Sequence, residues 1–210
     1  MHILFDLDGT LTDSGPGIIH CAKDTFIHYG IPVPDEATLR TMVGPPLRES
    51  FARFGIAPEE IDEAVAYYRT LYQATGKYEN TPYPGIQEVL KKLRNDGHKL
   101  YVATSKPEHM AIDILEHFGL APYFCRICGS CMDGVRDKKE AVIACILEDL
   151  AQDEKVMMVG DTVFDVLGAN FHGIPTVVVG WGYGDHQAML DAGAKRLVHT
   201  MDELSGCFDE

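Results

Sequence analysis

The sequence contains no run of the roughly 18 apolar residues that a membrane-spanning helix needs. Its start, Met-His-Ile-Leu-Phe-Asp-Leu-Asp, reaches acid before an apolar export signal can form, so the expectation is a soluble, unexported, cytoplasmic protein with no membrane partner. Cysteine is sparse at 6 in 210 residues, too few for a disulfide scaffold, and in the expected reducing compartment the thiols are free. Basic residues are short as well. The 18 Lys and Arg stand against 32 Asp and Glu for a net charge of −14, a field that repels polyanions and excludes nucleic acid as a partner. A small anionic substrate must therefore be held by something local, either a metal ion or a few Lys and Arg. There is no internal repeat, and 46% hydrophobic residues with 20 Gly and 11 Pro give no low-complexity or disordered bias.

Several familiar ligand loops are missing too. The 9 histidines show no H-E-x-x-H spacing, and Gly180-Trp-Gly-Tyr-Gly184 lacks the third glycine of G-x-G-x-x-G. Gly129-Ser-Cys-Met-Asp-Gly134 runs on into Val-Arg, not the Lys-Ser/Thr of a P-loop. A calcium loop counted from Asp6 finds Leu11 and Gly17 where it requires Gly and Glu.

What is present is an alternation of short apolar stretches with stretches of helical period, the pattern of a parallel sheet covered by helices. Strands are expected at 3–5, 100–103, 124–127, 156–159, 176–179 and 196–198, all largely apolar, as suits strands covered on both faces. Ile86, Val89, Leu90 and Leu93 stripe one helix; Ala111, Ile114, Leu115 and Phe118 another; Val142, Ile143, Ile146, Leu147 and Leu150 a third. Residues 14–83 break the alternation with helical stretches and no convincing strand, striped first by Ile18, Ala22, Phe26 and Tyr29 and later by Ile61, Val65, Tyr68 and Tyr72. The organisation expected is thus an α/β, Rossmann-like core of residues 1–13 and 84–210, with a small all-α domain inserted at 14–83.

The chemistry concentrates at strand ends. The first strand runs into Asp6-Leu-Asp8-Gly9-Thr10-Leu11, with two carboxylates where open α/β sheets bind ligands. Asp-Gly alone is a common turn pair. Two ionised acids side by side repel, however, and oxygen-only ligation suits Mg²⁺. A second pair, Asp161 and Asp165, follows the strand at 156–159. Alone it reads as a helix cap and a surface acid; together the two pairs converge on one ion if their strands are neighbours. Thr104 and Ser105 end the strand at 100–103, where hydroxyls and helix amides suit phosphate oxygens, although an N-cap explains Thr104 equally. Lys139, preceded by Lys138, opens a helix whose dipole disfavours a lysine placed there as surface charge.

In this order the motifs resemble those of the haloacid dehalogenase superfamily, over nearly the whole chain. Asp6-Leu-Asp-Gly-Thr-Leu-Thr-Asp13-Ser14 is similar to the family's first motif, Thr104 to the second, a lysine before a helix to the third, and Gly160-Asp161-x-x-x-Asp165 to the fourth. The helical insertion is similar to the cap of phosphoglycolate-phosphatase-like and β-phosphoglucomutase-like members, and Gly180-Trp-Gly-Tyr-Gly184 to a stretch of the phosphoglycolate phosphatase branch.

The resemblance implies a phosphatase with Asp6 as nucleophile and Asp8 as general acid and base. It implies Mg²⁺ held by Asp6, Asp8 through its backbone carbonyl, Asp161 and Asp165, with Thr104, Ser105 and Lys139 on the phosphate. Lys139 is preferred over Lys138 because the family's lysine usually precedes a Glu that opens a helix. In the cap, Gly44 and Arg48 of Met42-Val-Gly-Pro-Pro-Leu-Arg48 are expected to set specificity, Arg48 by meeting an anionic leaving group. The partner is a small phosphorylated metabolite, phosphoglycolate or a nucleoside monophosphate, and the chain a monomer or small homo-oligomer. A phosphomutase and a catalytically silent phosphate-binding protein are the competing readings. Cys125-Arg-Ile-Cys128-Gly-Ser-Cys131 carries C-x-x-C spacing twice, but a structural zinc site wants four ligands, and the family places a strand and loop here.

Overall fold

In the structure, a computed structural model, residues 1–131, 136–151 and 154–208 are described. Part of the 129–134 segment compared with a P-loop lies outside them.

Strand β1 (His2–Phe5) leads through the two-residue strand β2 (Thr12–Asp13) to four helices, α1 (Gly15–His28), α2 (Glu36–Arg40), α3 (Leu47–Arg53) and α4 (Ile61–Ala74). Strand β3 (Thr81–Pro82) returns the chain to α5 (Ile86–Asn95), β4 (Lys99–Pro107), α6 (Glu108–His117) and β5 (Arg126–Ser130). Then follow α7 (Lys139–Leu147), β6 (Val156–Gly160), α8 (Val163–Phe171) and β7 (Thr176–Val179), and last α9 (His186–Asp191), β8 (Arg196–Val198) and α10 (Met201–Ser205).

Six strands form one parallel sheet in the order β5-β4-β1-β6-β7-β8. β1 is where the order reverses, since the chain builds outward to β5 on one side and to β8 on the other. Crevices at such a point, beyond the carboxyl ends of the strands, are where open α/β sheets hold ligands. Period-2 alternation divides the sheet's side chains between two cores. Ile3 and Phe5 pack with the stripe of α5 and with Ala111, Ile114 and Leu115 of α6, whereas Leu4 packs with Val142, Ile143 and Ile146 of α7. A third cluster joins Ile18, Ala22 and Phe26 of α1 to Phe51 of α3 and Val65, Tyr68 and Tyr72 of α4, with Met110 of α6 against it. Among the described residues no helix is long and apolar enough to cross a membrane.

Three local expectations change. β5 begins at Arg126, not 124, because Ala121–Tyr123 makes a 3-10 turn and Phe124, ahead of the strand, packs on Phe5 with ring centroids 6.2 Å apart. β4 runs on to Pro107 through an irregularity after Ala103, so Thr104 and Ser105 lie within a strand, and Lys106 and Pro107 separate them from α6. The segment 14–83 is also not free of strand, since Thr81 and Pro82 pair antiparallel with Thr12 and Asp13. Two residues are too few to show an alternation in sequence.

Candidate active site

Asp6 follows directly on β1, its N–H donating to the Val159 carbonyl at 2.9 Å, so the end of β1 is stitched to β6. The chain then turns back on itself, the N–H groups of Leu11 and Thr12 both donating to the Leu7 carbonyl at 2.9 and 3.1 Å. Gly9 makes that turn at φ +82°, and a Cβ there would stand 2.1 Å from Asp161 Oδ2, so both the backbone and the neighbouring acid require glycine.

Asp161 lies just beyond β6, wholly buried, with Oδ1 accepting from the Thr10 hydroxyl at 3.1 Å and Oδ2 from the Tyr183 N–H at 2.9 Å. The helix starts after Asp161, so the two acids four apart do not share a helix face. Asp165 instead reaches back to the helix start, its Oδ2 accepting from the Thr162 N–H at 3.0 Å and the Thr162 hydroxyl at 2.9 Å. Its Oδ1 faces Lys139 Nζ at 2.7 Å. Lys139, the first residue of α7, also meets Asp6 Oδ1 at 3.0 Å and donates to the Ala103 carbonyl at 3.1 Å, while Lys138 is exposed. A buried lysine at a helix N-terminus is unfavourable unless carboxylates face it, and here two do.

Carboxylate oxygens of Asp6, Asp161 and Asp165 lie within 4.8 Å of one another, the one group of three such ligand residues among the described residues. Burial, with the Asp165 and Asp8 carboxylates adding to it, pushes the Asp6 carboxyl up to about 6 against the pull of Lys139. Burial, followed by the charges of Asp165 and Asp6, holds the Asp161 carboxyl well above the usual carboxylate range. Burial alone would lower the Lys139 ammonium, but Asp165 and Asp6 outweigh it and raise it. Three buried carboxylates against one ammonium leave excess negative charge in a dry site, and their oxygen-only donors fit a hard divalent cation such as Mg²⁺.

The Asp8 side chain is not in that group. Lys106 Nζ holds its two oxygens at 2.8 and 3.1 Å and also donates to the Tyr72 hydroxyl at 2.9 Å. Neither Lys106 nor Tyr72 was singled out from sequence as a site residue. Tyr72 shows in the pattern only as a core stripe of α4, and the trace of Lys106 is its place two residues after Thr104, at the end of a strand. Thr104 is buried, its hydroxyl accepting the Lys106 N–H at 3.3 Å, and Ser105 is half-buried.

The two cap residues part company. Gly44, at φ +105°, brings its backbone so close to α8 that a Cβ would meet Thr162 Cγ2 at 2.9 Å, beside Asp161. Arg48, expected to meet a leaving group, is exposed on α3 and ion-paired with Asp62 of α4. The Gly-Trp-Gly-Tyr-Gly stretch instead joins the acids to the inserted helices. Trp181 Nε1 donates to the Thr10 carbonyl at 3.2 Å, the Tyr183 hydroxyl donates to Asp13 and accepts the Gly15 N–H at 2.8 Å, and the Arg40 guanidinium lies 5.1 Å from the Tyr183 ring centre.

Residues 3–179 match the family model described as haloacid dehalogenase-like hydrolase. The chain is 43% identical over 205 residues to tyrosine-protein kinase PtkA of Mycobacterium tuberculosis, covering 96% of this chain and 70% of that one. It is 42% identical over 191 residues to a 5'-nucleotidase of Pseudomonas aeruginosa, covering 90% of this chain and 86% of the relative. The crystal structure of a predicted phosphatase from Clostridium acetobutylicum superimposes with a TM-score of 0.92 at 41% identity, covering 97% of this chain and 95% of that one. Over nearly its whole length, therefore, the chain belongs to the haloacid dehalogenase-like hydrolases, as a phosphatase of that family.

Proposed function

We propose that this phosphatase hydrolyses a phosphomonoester of a small metabolite through a phosphorylated Asp6, with Mg²⁺ as cofactor. The observation that carries this reading is the meeting of Asp6, Asp161 and Asp165 within 4.8 Å, with Lys139 Nζ 3.0 Å from Asp6. Asp6, the Asp8 backbone carbonyl, Asp161 and Asp165 would hold Mg²⁺, which would supply positive charge that offsets the nucleophile and the phosphate.

The Asp6 carboxylate attacks phosphorus in line with the ester oxygen, and the bond to that oxygen breaks. Asp8 protonates the departing oxygen, then takes a proton from the water that attacks phosphorus and frees Asp6. Thr104, Ser105, Lys139 and the N–H groups after Asp6 hold the equatorial oxygens, so their contribution is position and charge. Gly44 admits the cap backbone to the rim of the site. Phosphoglycolate and nucleoside 5'-monophosphates are the substrate candidates, the second supported by the relative named 5'-nucleotidase.

Phosphate release from phosphoglycolate, nucleoside 5'-monophosphates, sugar phosphates and pyrophosphate, with Mg²⁺ and with a chelator, tests the reading. One ester turned over well above the rest, and only with metal, is the expected result. Isomerisation of a sugar phosphate without free phosphate would move the assignment to a mutase. Binding without turnover would move it to a silent ligand-binding protein.

A further inference from the structure

Cys128 sits in β5 and Cys145 on the face of α7 that covers it, both free thiols, with their Sγ atoms 3.0 Å apart. A disulfide bond is about 2.05 Å long, so the sulfurs need approach by only about one ångström. The environment of Cys145 is not that of a plain core thiol. Arg136 Nη1 lies 2.9 Å and Arg126 Nη2 3.1 Å from its sulfur. Both guanidinium groups are fixed from behind. Arg126 donates to the Cys145 carbonyl at 2.8 Å and pairs with Asp149, and Arg136 donates to the Gly129 carbonyl at 2.9 Å and pairs with Glu108 at 2.7 Å. Positive charge beside a sulfur is the setting in which cysteine attacks as an anion. Cys145 keeps 7% of its surface open, whereas Cys128 is fully buried. Burial, with the contact to Cys145, pushes the Cys128 thiol up to about 12. The open surface and both guanidinium groups fall to Cys145, which makes it the sulfur that meets the oxidant and the fully buried Cys128 the resolving one.

We propose that Cys128 and Cys145 form a reversible dithiol that closes to a disulfide under a peroxide oxidant, tying α7 to β5. The Cys145 sulfur takes the terminal oxygen of hydrogen peroxide, the O–O bond breaks, and water leaves as the sulfur becomes a sulfenic acid. The Cys128 sulfur then attacks that sulfur, the S–O bond breaks, and the hydroxide departs as water with the Cys128 proton. Two thiols are oxidised, one peroxide is reduced, and a dithiol reductant reverses the change. The cross-link is felt at the active site because α7 begins with Lys139, six residues and about 9 Å along the helix from Cys145. The link to activity rests on the catalytic reading above; the cross-link itself does not.

The test exposes the folded protein to hydrogen peroxide, blocks remaining thiols with N-ethylmaleimide, and maps the peptides by mass. Most molecules are expected to carry Cys128 joined to Cys145, with about a tenfold loss of phosphate release, the scale of a small misplacement of a positioned group. Dithiothreitol restores both. Cys145→Ser, active when reduced, shows neither, and a Cys125→Ser, Cys131→Ser double variant still forms the bond. Absence of the linked peptide, Cys145 paired with Cys131, sulfinic acid at Cys145 beside a free Cys128, or a disulfide that leaves turnover unchanged would each overturn the proposal. The peptide masses need no turnover, so failure of the catalytic reading leaves the cross-link decided.

Discussion

At the scale of single residues, the site is a balance of buried charges whose members come from distant parts of the chain. Asp6, Asp161 and Lys139 stand out in sequence because acids directly after an apolar strand and a lysine at a helix start are unfavourable unless something answers them. Lys106 and Tyr72 carry no such mark, since an isolated lysine reads as solvated and a tyrosine in an apolar stripe reads as core. Only the packing of α4 over the end of β4 brings the Tyr72 hydroxyl to Lys106 and Lys106 to Asp8. Arg48 is the opposite case, a charge marked by its place near Gly44 that folds against Asp62 instead. Tyr72→Phe removes one hydrogen bond to a charged group that grips Asp8, worth about 1.5–3 kcal/mol. The expected outcome is a loss of stability on that scale, a melting temperature lower by several degrees, together with a fall in kcat/KM of about tenfold, measured by a melting curve beside steady-state kinetics.

At the scale of elements, three strand ends do the assembling. β1 delivers Asp6 between β4, which delivers Thr104 and Lys106, and β6, which delivers Asp161. Apolar runs made the strands of this sheet legible, and β7 and β8 fall where the sequence places them. The edges that moved are those where tertiary contacts decide, as with Phe124 packing ahead of β5 and β4 continuing through its irregularity. The pair β2 and β3 was invisible because its register is set by the return of the inserted helices and not by any local pattern. Leu90 of α5 is fully buried under the sheet. Leu90→Ala should therefore cost about 2–5 kcal/mol, read as a lowered denaturant midpoint, while the molecules that remain folded keep their turnover.

At the scale of the whole molecule, a net charge of −14 surrounds a site that must accept an anion. The charge count showed that something local must oppose this field, and the three carboxylates with Lys139 are placed to gather that opposition. The composition does not say which leaving group the site takes, because the residues beside Thr162 and Asp8, such as Gly44 and Tyr72, are brought there only by the fold. If the proposed metal site is right, excess buried negative charge also makes the fold itself answer to metal. Mg²⁺ at about 100 times its dissociation constant should raise the unfolding free energy by about 2.7 kcal/mol, and Asp161→Asn should abolish most of that gain. Calorimetric melting with Mg²⁺ and with a chelator checks both.

The proposed mechanism stands on the Asp6 carboxylate being the group that receives the phosphoryl unit. The most direct measurement is kcat for Asp6→Asn beside the unaltered chain, with Mg²⁺ and the best ester substrate, after both proteins are shown to be folded. A loss of about a thousandfold or more is expected, since the amide cannot serve as this nucleophile. Retention of more than about a tenth of the original kcat, a loss below about 1.4 kcal/mol, would contradict it.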